Sequence, residues 1–322
     1  MFRSDHIPGG SPTSATTPET RSSGPARWEL APLVALASAA AFATAGPFSK
    51  ALLEADWSAG AIVLVRVTGA AVLMLGPGIW AVRGRWDLVR ANLPTVLAFG
   101  LGGIALCQVA YVNAVATLNV GVALLLEYLA VVLVVLWVWL RRGRTPTALT
   151  LTGMGTAVLG LVLVLDLTGA SAPALAGVLW GLLAAVGLAA YFVNAADDGG
   201  LPPLTLAALA MATGALALAA LGVVGLVPMR FSTEPVLLAG ATLPAWVAVA
   251  ELVVVAAVLA YLFGTLAARR LGSTVASFVG LTEVLFAVAF AWLLLGEVPT
   301  WIQAGGGLLI LAGVVAVRAG DR

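Results

Sequence analysis

The chain has 322 residues, 61% of them hydrophobic and only 10% charged, with a mean hydropathy of +1.07. Soluble domains run at about 45–50% apolar and about 25% charged, so a globular protein in water is excluded and a bilayer is the expected solvent. A net charge of +1, one cysteine (Cys107) and one histidine (His6) exclude a disulfide framework and a His/Cys zinc site.

Residues 1–28 are rich in Pro, Ser, Thr and Gly without apolar periodicity, and read as a disordered cytoplasmic tail. The run LAPLVALASAAAFATA that follows ends in small residues, as a cleaved leader would. The polar stretch ahead of it is long for an n-region, however, and the apolar run continues past Pro47, so it reads as an uncleaved helix. Apolar stretches of about 20 residues give ten spans, at 31–53, 59–81, 94–116, 119–140, 148–167, 173–195, 203–226, 244–267, 273–295 and 300–318. Pro47, after Gly46, cannot donate to the carbonyl of Ala43 and is expected to kink the first span. Connections are short, so any chemistry lies within the membrane or at its surface.

Arginine sets the orientation. With the amino terminus in the cytoplasm, inside segments carry Arg3, Arg21, Arg27, Arg83, Arg85, Arg90, Arg141, Arg142, Arg144, Arg269, Arg270, Arg318 and Arg322, against Lys50 and Arg230 outside. That bias predicts both termini in the cytoplasm. The Ala196–Pro202 loop, with Asp197 and Asp198 and no basic residue, is a local exception. Fifteen arginines against one lysine fit a GC-rich bacterial genome, hence a bacterial cytoplasmic (inner) membrane.

The chain also repeats itself. RVTGAAVL from Arg66 resembles MATGALAL from Met211. Pro146-Thr147 is followed by Gly153 and Gly160, and Pro299-Thr300 by Gly306 and Gly313, at identical spacing. LLEYLAVVLVVLWVWL carries Glu127 in the fourth span and GLTEVLFAVAFAWLLL carries Glu283 in the ninth. Two halves follow, 29–168 and 169–322, of five spans each. An odd number of spans forces opposite orientations, the inverted-repeat design of secondary transporters with a site near the midplane where the repeats meet. The predicted fold class is therefore an all-α integral membrane protein with ten transmembrane helices in two inverted five-helix repeats.

Four ionisable residues lie inside predicted spans and away from their ends: Arg66, Glu127, Glu251 and Glu283. Such residues are expensive in lipid and face a cavity or a partner. Glu127 and Glu283 approach the midplane from opposite directions. Each either lines a central cavity, carrying a coupling proton or binding a substrate amine, or is a buried hydrogen-bonding group that orients helices. Arg66 and Glu251 sit at similar depth and suit an ion pair. Alternatively Arg66 holds a substrate carboxylate, or snorkels to the interface. Met211 stands at the place matching Arg66, which makes the site asymmetric. Gln108, Tyr111, Asn113, Tyr128, Trp180, Tyr191 and Asn194 are uncharged candidates, weighed against helix–helix bonding or interfacial placement. Gly177 and Gly181 form a close-packing pair. Cys107 has no acid, base or metal partner nearby in sequence and reads as filler.

AFATAGPFSK, LVRVTGAAVLML and AYVNAVATLNVGVALLLEYLAVVLVVLWVW, with RRLGSTVASFVGLTEVLFAVAFAWLLLGEVPTWIQAGGGLLILAGVVAV in the second half, resemble EamA-type members of the drug/metabolite transporter superfamily. The resemblance covers about residues 31–318. It implies ten helices in inverted repeats and proton- or exchange-coupled movement of small metabolites, often outward. Val131 and Val284 stand where a proline is common near the acidic residue, which argues against a break in the helix at either glutamate. RRGRTPT in the first half also departs from LGEVPT in the second.

A Walker A site needs a lysine after a glycine-rich loop, and the only lysine, Lys50 in GPFSK, lacks that spacing. ATP-driven transport by this chain alone is excluded. Asp197-Asp198 has no second acidic cluster, so a metal-dependent prenyl transferase is not indicated. The sequence thus predicts a secondary transporter, not an enzyme, with no cofactor, metal or nucleic-acid partner. It moves an amino-acid-like or drug-like metabolite by alternating access, in efflux, with protons as the coupling ion. The alternatives are an importer of similar compounds or, from another class, a membrane enzyme acting on a lipid-borne substrate.

Overall fold

In the computed structural model, which describes residues 31–142, 147–165, 174–195, 199–264, 267 and 282–320, the apolar stretches fold as helices. A backbone withdrawn from water must satisfy its own N–H and C=O groups. The helices are α1 (Ala31–Ala43 and Ala45–Glu54), α2 (Ala59–Ala81), α3 (Leu93–Val115), α4 (Val120–Glu127 and Ala130–Arg142) and α5 (Ala148–Leu165). The second half has α6 (Leu175–Ala195), α7 (Pro203–Val223), α8 (Ala245–Gly264), α9 (Thr282–Leu295) and α10 (Trp301–Gly320). A short helix, Trp86–Ala91, leads into α3. Among the described residues, five helices (α1, α2, α3, α7 and α8) are long and apolar enough to cross a membrane, and the other five of these are shorter apolar helices. The predicted start of the ninth span at residue 273, Asp197 and Asp198, and the tail 1–28 lie outside the described residues.

Two interruptions follow different causes. Pro47 has no N–H to donate to the Ala43 carbonyl, and α1 breaks three residues earlier, at Thr44, as its position predicts. The break in α4 after Glu127, at Tyr128 and Leu129, corrects the expectation of an uninterrupted helix there. No proline is involved. The amide of Leu129 instead bonds the carbonyl of Leu126, a tightened turn. Both α3 and α8 contain wider π-helical turns, Phe99–Leu106 and Val254–Leu259, at corresponding places in the two halves.

Glycine positions set the packing. A Cβ at Gly153 would stand 2.6 Å from the Gly313 carbonyl oxygen, and one at Gly160 would stand 2.6 Å from that of Gly306. The first glycine of α5 meets the second of α10, and the second meets the first, so the two helices run antiparallel with their backbones in contact. Several other contacts come in matched pairs: α2 with α7, α1 with α9 as α6 with α4, and α2 with α8 as α7 with α3. Gly177 packs on Thr117 and Leu118, and Gly181 on Leu126, as their spacing suggested.

The surface is apolar, with Leu73, Leu140, Leu216, Val223 and Leu308 exposed, as a lipid-facing surface requires. Exposed tryptophans gather at both ends: Trp246 and Trp301 at the end that carries Glu54, and Trp80, Trp86, Trp137 and Trp139 at the other. The α7–α8 connection holds a hairpin not foreseen from sequence, β1 (Val236–Leu238) paired antiparallel with β2 (Ala241–Leu243). Ala239 (φ 51°) and Gly240 (φ 76°) form its two-residue turn, and the Ala239 amide donates to the Leu294 carbonyl at 2.8 Å.

Candidate functional site

The polar residues inside the helices collect where the two halves face each other. Cys107 in α3 donates its thiol to Glu127 Oε1 at 3.1 Å and approaches the Ala184 carbonyl of α6 at 3.6 Å. The next residue of α4, Tyr128, donates its hydroxyl to Glu283 Oε2 in α9 at 3.0 Å. The break in α4 thus falls where consecutive residues reach for partners in different halves. Cys107 is a partner of Glu127 and not filler: the acid lies 20 residues away on the next helix, where local sequence could not reveal it.

Arg66 and Glu251 do not form the ion pair their matched depth suggested. Arg66 is buried, so it does not snorkel, and its Nη2 donates to the Ala256 carbonyl at 2.8 Å. Ala256 lies in the π-helical turn of α8, where the widened backbone offers a carbonyl to a side chain. Glu251 is taken by the hydroxyl of Thr44, the residue at the break in α1. Thr44 was missed, although its place three residues ahead of Pro47 was a signal. Arg66 still lies within electrostatic reach of Glu127, Glu251 and Glu283.

Three polar atoms of this group are buried without a hydrogen-bond partner among the described residues: Arg66 Nε, Gln108 Oε1 and Glu251 Oε2. Such atoms are few in folded proteins, and each calls for a reason. Tyr111 is buried, its hydroxyl against Gly46: a Cβ there would stand 2.5 Å from the Tyr111 oxygen. Met211, opposite Arg66 by repeat, is fully buried in apolar packing.

A cavity of about 600 Å³ opens at the Glu54 end of the bundle. Asn113 and Trp180 line it together with Lys50, Glu54, Trp57 and Arg230. The amide of Asn113 bonds the Val109 carbonyl of its own helix at 2.8 Å. The other expected site residues do not line this cavity. Glu127 is buried one turn deeper: Trp180 stands four residues from Ala184, and Val109 two from Cys107, whose thiol Glu127 accepts; Glu283 is half-buried. Asn194 bonds the Ala190 carbonyl within α6, and Tyr191 packs on Phe99 with ring centroids 5.0 Å apart. A second, apolar cavity of about 280 Å³ lies between α4, α9 and α10.

Between the two cavities stands an ion pair that sequence reading did not assemble. Lys50 of α1 is paired with Glu297, the glutamate of LGEVPT after α9, 247 residues away. Glu297 Oε2 also accepts the Val120 amide at 2.9 Å, one of the free N–H groups at the start of α4.

No curated protein matches the chain. Among solved structures, one titled only "Crystal structure of protein" matches with a TM-score of 0.59 at 18% identity, covering 89% of this chain and 94% of that one, which shows a shared fold. The model of the EamA-like transporter family matches twice, over residues 30–166 and 175–319. The chain therefore belongs to the EamA-like transporter family, a multi-pass membrane protein built of two repeats that transports small substrates.

Proposed function

We propose that the chain is a secondary carrier that exports a small metabolite, amino-acid-like or drug-like, across a bacterial cytoplasmic membrane by alternating access, coupled to protons. In this reading all ten helices span the bilayer as two inverted repeats, 29–168 and 169–322, with both termini in the cytoplasm. The Glu54 end then faces outward, as the arginine bias asks.

One observation carries the proposal. At the seam between the repeats, two glutamates are held by single bonds to Cys107 and Tyr128, beside Arg66, Gln108 and Glu251 with unpartnered atoms. A packing interface would satisfy these groups. A seam that opens and closes leaves some to be satisfied by substrate or by the other conformation. Glu127 and Glu283 are the coupling carboxyls, and Arg66, Gln108, Tyr111 and Tyr128 complete the site around them. Asn113 and Trp180 line the outer vestibule that leads there.

The test is flux in proteoliposomes. Extracellular metabolite pools, compared with the gene deleted and overexpressed, identify the substrate. Glu127→Gln is then expected to abolish pH-driven flux while retaining exchange of labelled substrate. Unchanged pH-driven flux in that variant removes Glu127 from the mechanism.

A further inference from the structure

Lys50 stands in the vestibule and reaches a residue of the apolar crevice. Its side chain lines the polar vestibule, while its ammonium is paired with Glu297, which lines the apolar crevice. The ammonium also lies 3.4 Å from the Leu118 carbonyl. One cation thereby ties the last turn of α1, the α3–α4 turn and the α9–α10 connection, and so one repeat to the other. It is the one ion pair among the described residues, and it is only partly buried, with the side chains 20% and 13% exposed.

Of the charges that line the vestibule, Lys50 is held by Glu297, and Arg230 stands opposite Glu54 in sign. Its remaining walls include the indoles of Trp57 and Trp180, and its volume of about 600 Å³ suits a small molecule. A lysine ammonium is a compact charge with three donors and little demand on partner geometry. It already donates to one carboxylate, and it faces a chamber where a second can arrive.

We propose that Lys50 is a receptor for the carboxylate of an amphipathic monocarboxylic acid, and that this acid opens the outer latch by taking Lys50 from Glu297. The proposal rests on the carrier reading and names its substrate class. One carboxylate is what exchange with Glu297 on Lys50 requires, Arg230 lines the same chamber, and the indoles take the apolar body of the acid. Once Lys50 is claimed, Glu297 keeps only the Val120 amide, and the α9–α10 connection is free of α1. A ligand shifts such an equilibrium only by binding one state better, and here the better-binding state is the unlatched one.

The experiment uses the full-length chain in nanodiscs, with tryptophan fluorescence as the readout and three probes: phenylacetate, phenylacetamide and phenethylamine. Phenylacetate is expected to bind at least about tenfold tighter than the other two. Lys50→Met should remove that preference. Glu297→Gln should strengthen phenylacetate binding about fivefold, because the competing carboxylate is gone. Should Lys50→Met fail to fold with Glu297 left unpaired, Lys50→Met/Glu297→Gln removes both charges and must show the same loss. Equal binding of acid and amide, or weaker binding of phenylacetate in Glu297→Gln, overturns the proposal. Equilibrium binding needs no flux. A protein that moves metabolites without preferring phenylacetate overturns this inference alone, whereas one that binds phenylacetate through Lys50 yet moves nothing overturns the carrier reading and keeps the receptor.

Discussion

At the α5–α10 contact the two repeats meet as equals: Gly153 faces Gly313, and Gly160 faces Gly306, each glycine answering its counterpart by position. At the polar seam they do not. Arg66 has Met211 as its counterpart, Glu127 is bonded by a cysteine and Glu283 by a tyrosine, and Glu297 corresponds by repeat to Arg144. Repetition has been kept where backbones must touch and lost where a site must tell one side of the membrane from the other. Shape needs two copies of one surface; recognition of an asymmetric molecule does not.

The sharpest way to break this comparison is at the symmetric contact. In Gly160→Leu the new side chain would start 2.6 Å from the Gly306 carbonyl oxygen and 2.7 Å from the Ile310 amide. Both are backbone atoms that cannot turn aside. A loss of about 3 kcal/mol or more is expected, read as a fall in thermal stability in detergent. Gly155, with nothing within 4 Å of a built Cβ, is the control. Gly155→Ala should gain about 0.5–1 kcal/mol from helix propensity. Equal melting of Gly160→Leu and wild type would mean that the two helices do not touch as described.

Next in size is Arg66→Met, which copies the second repeat into the first. It removes one charged donor to the Ala256 carbonyl, worth about 1.5–3 kcal/mol. If the asymmetry serves transport, flux should fall at least about tenfold while the protein still folds and elutes as wild type. Wild-type flux in Arg66→Met would make the cation a structural group.

How much of this was legible follows the same division. The glycine spacing was readable because close packing needs small residues at fixed intervals, and a repeated interval shows itself in one sequence. Arg66, Glu127, Glu251 and Glu283 were readable as charges where charges are costly. Their partners were not. Cys107 finds Glu127 on a neighbouring helix, Thr44 finds Glu251 across 207 residues, and Lys50 finds Glu297 across 247. Periodicity says nothing about such pairings. Nor did it show the break after Glu127, which no proline marks, or the hairpin at Val236–Leu243. The dipeptide Ala239-Gly240, between VLL and ATL, was its only local sign.

Cys107 gives a smaller effect. Cys107→Ala leaves Glu127 Oε1 without its donor, and about 1 kcal/mol of stability with a severalfold loss of flux is expected. Cys107→Ser restores a donor of nearly the same reach and should keep both near wild type. If Ala and Ser behave alike, the thiol packs and does not bond.

The smallest effect falls between the two regions. Thr205 in α7 donates its hydroxyl to the Gly78 carbonyl of α2 at 2.7 Å, a bond within the otherwise apolar α2–α7 contact. Gly78 has its Cβ position 2.9 Å from the Ala208 methyl, so the helices are already held close by shape. The position matching Thr205 in the first repeat is Gly60, which has no side chain to return the bond. Hydrogen bonds between helices in membranes average about 0.6 kcal/mol, because each partner finds substitutes when the helices separate. Thr205→Val keeps the branched shape and removes the donor, so it should lower stability by about that amount and leave flux unchanged. A loss of flux in Thr205→Val without a matching loss of stability would place the α2–α7 contact among the moving parts, and the line between symmetric scaffold and asymmetric site would have to be redrawn through it.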